Sequence, residues 1–172
     1  MKDFKKKISL YFVLCTWYFI SSCHITYTFT GASISPEIKT ISIQTFPNRA
    51  SIVQPSLSNA FTEKMKDKFV AETHLAFTKV NGDLNFEGAI IDYSTQPVAI
   101  QGNDNAALNR LTITVSVKFT NAKDSKQDFE TNFSRYADYD SKKSLSSVEQ
   151  DLISQINQQL VDDIFNKAVV NW

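Results

Sequence analysis

The stretch that decides the fold is Arg110–Ala122, "RLTITVSVKFTNA". Leu111, Ile113, Val115, Val117 and Phe119 alternate strictly with Thr112, Thr114, Ser116, Lys118 and Thr120. Five apolar positions at period two describe a strand with one buried and one wet face. The next segment, residues 121–127 "NAKDSKQ", reads as a turn. Residues 128–140, "DFETNFSRYADYD", then supply a partner strand with Phe129 and Phe133 on the apolar face. A short loop between neighbouring strands predicts antiparallel pairing.

Outward from this pair the period changes. On the C-terminal side Val148, Leu152, Ile156, Leu160, Ile164 and Ala168 hold an i, i+4 stripe, which predicts a long amphipathic helix. Ser146 and Glu149 have the spacing of a capping box at its start. On the N-terminal side residues 101–109, "QGNDNAALN", read as a loop. Before it, Asn81-Gly82 lies between alternating stretches and signals a hairpin turn joining strands at 75–80 and 83–95. Pro97 restricts the second strand or places it at an edge. Residues 56–72 carry Leu57, Phe61, Met65 and Phe69 every four residues, a helix opened by Ser56 or Ser58 after Pro55. Residues 38–46, "IKTISIQTF", set Ile41 and Ile43 against Thr40, Ser42 and Gln44, a strand half-exposed to water, and residues 47–55 form a loop.

Two helices with one apolar stripe each must bury it against a common surface. The expected architecture is α+β: a two-layer sandwich, two helices packed on one face of a mixed sheet of about four strands. The polar face, rich in threonine and serine, is left solvated or available for docking.

The N-terminus sets the compartment. Lys2, Lys5, Lys6 and Lys7 precede an uncharged apolar run, residues 8–20, and two serines follow. A basic start, a short apolar segment and small residues describe a secretory signal peptide. The run falls short of the ~20 apolar residues that suit a membrane-spanning helix. Ile20-Ser21-Ser22-Cys23 resembles a bacterial lipobox, which implies cleavage before Cys23 and acylation of its sulfur and new amino group. Two or more acyl chains give stable attachment, whereas one is marginal. The expected organisation is a lipoprotein signal peptide over 1–22, a lipidated tether over 23–36 and one domain over 37–172. Cys15 leaves with the signal and Cys23 is capped, so no thiol remains for a disulfide, a metal or catalysis. "HITYTF" after Cys23 lacks an acidic export cluster, which suggests the periplasmic side of the membrane.

Composition narrows the partners. The whole chain has 18 basic and 18 acidic residues. Residues 1–22 hold four lysines and one aspartate, which leaves 14 basic against 17 acidic residues after the signal. That balance argues against nucleic acid as a general partner, and no polybasic patch for an anionic membrane is visible.

Signatures of catalysis and of cofactor binding are missing from the sequence. His24 and His74 stand apart, so no metal set is expected. No nucleophile elbow, Walker loop or dinucleotide fingerprint occurs, and no cofactor or enzymatic activity is expected. Asp83 and Glu87 would lie about 13 Å apart on one strand face, too far for a glycosidase pair, and read as solvent-facing carboxylates. The more suggestive set is basic and aromatic: Arg49 in the first loop, Arg110 opening the central strand, and Arg135-Tyr136 in its partner. Arginine binds phosphate in a bidentate fork, so these residues are candidate contacts for a partner or a phosphorylated glycolipid.

Finally, "ISIQTFPNRASIVQPSLSNAFTEKMKDKF" (41–69), "GDLNFEGAIIDY" (82–93), "QGNDNAALNRLTITVSVKFTN" (101–121), "FSRYADYD" (133–140) and "LVDDIFNKAVVNW" (160–172) together resemble the Bacteroidetes branch of the LptE-like lipopolysaccharide-assembly lipoproteins. The resemblance covers residues 27–172. It implies two helices on a four-stranded sheet and lipid anchoring in the outer membrane, facing the periplasm and the barrel lumen. It implies a complex with the LptD β-barrel translocon as plug and assembly partner, and binding of lipopolysaccharide. The alternative function is a membrane-tethered periplasmic carrier of lipid or lipoprotein.

Overall fold

The computed structural model describes residues 34–98 and 108–169. The expected signal peptide, Cys23, most of the expected tether and most of the expected 101–109 loop lie outside the described residues. Five strands form one sheet: β1 (Thr40–Ile43), β2 (Ala76–Phe77), β3 (Leu84–Val98), β4 (Leu108–Asn121) and β5 (Phe129–Asp140). Two helices, α1 (Leu57–Glu72) and α2 (Leu145–Val169), pack against its inner face and against each other. The sheet order is β2-β1-β3-β4-β5. β1 runs parallel to both its neighbours, whereas β3, β4 and β5 are antiparallel. The sheet is thus mixed, with one strand more than four, and the added strand is two residues long.

β4 takes up the alternation of its sequence in full. Leu111, Ile113, Val115 and Val117 are entirely buried and Phe119 almost so. α1 delivers Leu57, Phe61, Met65 and Phe69, and α2 delivers Leu152, Ile156, Leu160, Ile164 and Ala168. Aromatic rings knit the two layers. Phe46 meets Phe61 at 5.2 Å between centroids, Phe69 meets Phe86 at 5.0 Å and Phe165 at 5.1 Å, and Phe86 meets Phe119 at 4.8 Å. Burying each such side chain contributes about 1.5–3 kcal/mol.

The expected 75–80/83–95 hairpin does not form. β2 pairs with β1 through Thr40–Ala76 and Ile41–Phe77, and β1 separates it from β3. Asn81 does adopt the left-handed conformation, with φ of 55°. Here it steers the chain across the outer face of β1 instead of folding β2 back on β3. Gly82 N donates to Ser42 Oγ at 3.1 Å and Asp83 N to Thr40 Oγ1 at 2.9 Å. A Cβ on Gly82 would sit 2.5 Å from Ser42 N and 2.6 Å from Ile41 C, so only glycine lets the two backbones come this close. Ser42, expected to face water, is therefore fully buried beneath the crossover, and its hydroxyl donates to Asn85 Oδ1 at 2.6 Å.

Two further local expectations are corrected. β1 ends at Ile43, short of residue 46, because one extra residue between Ile43 and Asn48 breaks the ladder before the chain rejoins β3 at Ile90. Ile90 N donates to Pro47 O and Arg49 N donates to Ile90 O, at 3.0 and 2.8 Å. The capping box at Ser146 and Glu149 is absent because α2 already begins at Leu145, which places Ser146 inside its first turn. Ser144 O accepts from Ser147 N and Oγ, and Glu149 is engaged elsewhere, accepting from Tyr93 OH at 2.5 Å.

β3 continues through Pro97 to Val98, longer than expected. Pro97 is tolerated there because the short β1 no longer flanks β3, so the missing N–H interrupts no ladder on that side. A register shift between Ile90 and Asp92 inserts Ile91 as an extra residue. It leaves Ile91 40% exposed while keeping both Ile90 and Tyr93 in the core.

Candidate functional site

The outer face of the sheet faces away from both helices. Its centre is a hydroxyl and amide field from three strands: Ser94 on β3, Thr112, Thr114 and Ser116 on β4, and Asn132 and Ser134 on β5. Thr114 and Ser134 bond across strands at 2.9 Å. Asp92, opposite Thr114, sets one carboxylate within this field and accepts from Ser94 Oγ at 2.9 Å; the other charges stand at its two ends.

At one end stands Arg110. Cross-strand pairing sets it opposite Asp138, and the guanidinium grips that carboxylate with both Nε (2.7 Å) and Nη2 (2.9 Å). The fork raises the Arg110 pKa and holds the Asp138 carboxyl below its usual range. The same guanidinium lies 3.6 Å from the ring centroid of Tyr136, which is 50% exposed. Arginine, tyrosine and aspartate thus form a flat, preorganised platform with one aromatic face available to a ligand.

At the other end a groove of about 570 Å³ runs between the 44–49 segment and β3, β4 and β5. Arg49, Glu87, Lys118 and Glu130 supply its charges, and Lys118 pairs with Glu87 at 2.8 Å. Arg49 is exposed, and among the described residues its side chain makes no ion pair.

Arg135 goes elsewhere. It shares the parity of Phe129 and Phe133 and so lies on the helix side of β5. There it forks onto Asp163 of α2 at 2.5 and 2.7 Å, a clip between layers that raises its own pKa. The fold therefore brings Arg110 and Tyr136 together, sets Arg49 at the far end of the same face, and turns Arg135 to the other side.

Asp83 is not an ordinary solvent-facing carboxylate. Its Oδ2 accepts from Lys39 N (2.9 Å), Thr40 N (3.0 Å) and Thr40 Oγ1 (2.9 Å), and Lys123 lies 3.2 Å from Oδ1. The backbone bond from Lys39 leads the causes that hold its pKa far below the carboxylate range. It acts as a staple at the start of β1. Glu87 is tied to Lys118 instead, so the two carboxylates have separate structural duties. Among the described residues no group of three His, Cys, Asp or Glu could hold a metal ion, and no helix is long and apolar enough to cross a membrane.

No curated protein matches the chain. Solved structures share the fold at low identity. A minor lipoprotein from Acinetobacter baumannii matches with a TM-score of 0.50 and 13% identity, over 76% of this chain and 92% of that one. A hypothetical protein from Chlamydia trachomatis matches with a TM-score of 0.52 and 10% identity, over 78% and 98%. A homolog of a neuraminyllactose-binding hemagglutinin from Helicobacter pylori matches with a TM-score of 0.50 and 8% identity, over 84% and 90%. At such identities the likeness shows the fold alone. A family model described as "LptE: Lipopolysaccharide-assembly" matches residues 38–168, from the approach to β1 to the last turn of α2. That span takes in all five strands and both helices, and the chain belongs to the LptE family of lipopolysaccharide assembly.

Proposed function

We propose that this chain is a lipoprotein, anchored through Cys23 in the outer membrane and facing the periplasm and barrel lumen. In this reading it plugs an LptD-type β-barrel, assists its assembly, and binds lipopolysaccharide as the glycolipid is inserted. The observation that carries the reading is the family match across the whole sandwich. The outer sheet face supports it. A hydroxyl field flanked by the Arg110–Tyr136 platform and by Arg49 suits a sugar-phosphate surface or the polar lining of a barrel. Arg49 is the candidate phosphate contact, because Arg110 and Arg135 already hold carboxylates.

The role is one of binding and assembly. A lipid-carrier role would call for an apolar cavity between the layers, and that space holds the Phe46, Phe61, Phe69, Phe86 and Phe119 rings. Purification of the full chain from native membranes in mild detergent tests the proposal. A large β-barrel should co-purify, and lipopolysaccharide should bind the isolated protein. Recovery of the acylated chain with no barrel and no glycolipid would overturn it.

A further inference from the structure

The β2 edge of the sandwich carries one of the exposed apolar groups of the described surface, another being Ile52 and Val53 in the 47–55 loop. Val70 at the end of α1, Phe77 on β2 and Val80 on the crossover are 63%, 38% and 59% exposed. Val70 and Phe77 line an open groove of about 600 Å³ with Ile43 and the aliphatic stems of Lys66 and Lys79. No carboxylate lines it. Lys66 is bonded to Glu63 at 2.8 Å, whereas Lys79 and the neighbouring Lys39 make no side-chain ion pair among the described residues. Apolar side chains rimmed by cations suit the interface of a bilayer, where rings and branched chains enter and ammonium groups stay with headgroups.

The path of the chain favours a leaflet over a protein as the occupant. The segment that leads from Cys23 enters the sheet at this same edge, where Ala76 N donates to Lys39 O at 2.9 Å. The eleven steps from Cys23 to Ile34 span at most about 40 Å when fully extended. An acyl anchor on that tether brings the bilayer within reach of this edge, where the chain joins the sheet.

We infer that the β2 edge docks on the anionic phospholipid leaflet, with Val70, Phe77 and Val80 in the interface and Lys39 and Lys79 on phosphate headgroups. The inference rests on the anchored reading above and adds an orientation to it, with the β2 edge at the periplasmic rim, outside the barrel lumen. Overall charge gives no hint of such docking, because the attraction comes from two lysines placed beside apolar groups.

The test uses full-length protein extracted from membranes and reconstituted in vesicles of phosphatidylethanolamine and phosphatidylglycerol in equal parts. Spin labels are placed at Val80→Cys and, as a control, at Asn132→Cys on β5, at the opposite edge of the sheet. Depth is read by oxygen accessibility, and mass spectrometry reads the acyl chains on Cys23. The label at 80 should lie within the bilayer and the label at 132 in water. Each lysine near an anionic surface is worth about a fivefold change, so Lys39→Glu with Lys79→Glu should lower the buried-to-aqueous ratio at 80 by at least about 25-fold. An acylated protein whose label at 80 is as water-exposed as that at 132 overturns the inference and leaves the anchor standing. An unacylated protein with the label at 80 in the bilayer overturns the anchor and supports the docked edge.

Discussion

Gly82→Ala is the sharpest probe of the crossover over β1. The added Cβ would lie 2.5, 2.6 and 2.7 Å from Ser42 N, Ile41 C and Leu84 O, all backbone atoms that no rotamer change can move. Restoring ordinary contact near 3.4 Å requires the crossover to lift by about 0.9 Å. The bond from Gly82 N to Ser42 Oγ, now 3.1 Å, would stretch to about 4.0 Å and be lost, and its neighbour from Asp83 N would weaken. One or two hydrogen bonds at about 1 kcal/mol each, plus overpacking at about 1–3 kcal/mol, predict a loss of roughly 2–5 kcal/mol. Urea unfolding followed by circular dichroism would show a lower midpoint at unchanged slope, and the melting temperature should fall by roughly 2–4 °C per kcal/mol. Asn81→Gly, which relieves a left-handed residue at the preceding position, should leave stability within about 0.5 kcal/mol and serves as the control. If Gly82→Ala unfolds within about 0.5 kcal/mol of the parent, the tight passage of the chain over β1 is wrong.

Phe119→Ala, which removes a fully enclosed ring between Phe86 and Phe129, should cost about 3–5 kcal/mol by the same unfolding assay. Tyr93→Phe leaves the Glu149 carboxylate without its phenol donor, so a loss of about 1–3 kcal/mol and looser amide-exchange protection at the start of α2 are expected. Asp83 has a depressed pKa when folded, so its contribution is complete above the unfolded carboxylate pKa and fades as pH falls below it. Acid titration of Asp83→Asn should show a flatter loss of stability below about pH 4 than the parent shows. Tyr136→Ala should leave the unfolding midpoint nearly unchanged and weaken lipopolysaccharide binding in a direct titration; equal affinity would remove the platform from the proposed site.

Much of this fold is written in local pattern. β4 is legible because each residue's face follows from its neighbours two positions away, and both helices are legible because their stripes recur every fourth residue. The hairpin reading of Asn81-Gly82 failed because the left-handed turn is a local property, whereas its use depends on whether a third strand occupies the adjacent slot. β1, at four residues, is too short for its sequence to announce that it does. The candidate site divides in the same way. That arginines would matter was legible, but their partners Asp138 and Asp163 come from strand register and layer packing. One signal was available and passed over: Arg135 keeps the parity of Phe129 and Phe133, which places it on the helix side. The engagement of Asp83 depends on a residue 44 positions away and leaves no trace in its own neighbourhood.

The covered first strand also governs how the molecule answers load. β1 has α1 beneath it and residues 79–83 above it, held like a bolt behind a hasp by Gly82 and the Asp83 carboxylate. A pull delivered from the N-terminal side must shear β1 from both β2 and β3 before the bolt slides. The assembly sequence is constrained equally, since β1 must be seated before the hasp can shut, and a chain that threads late would find its slot closed.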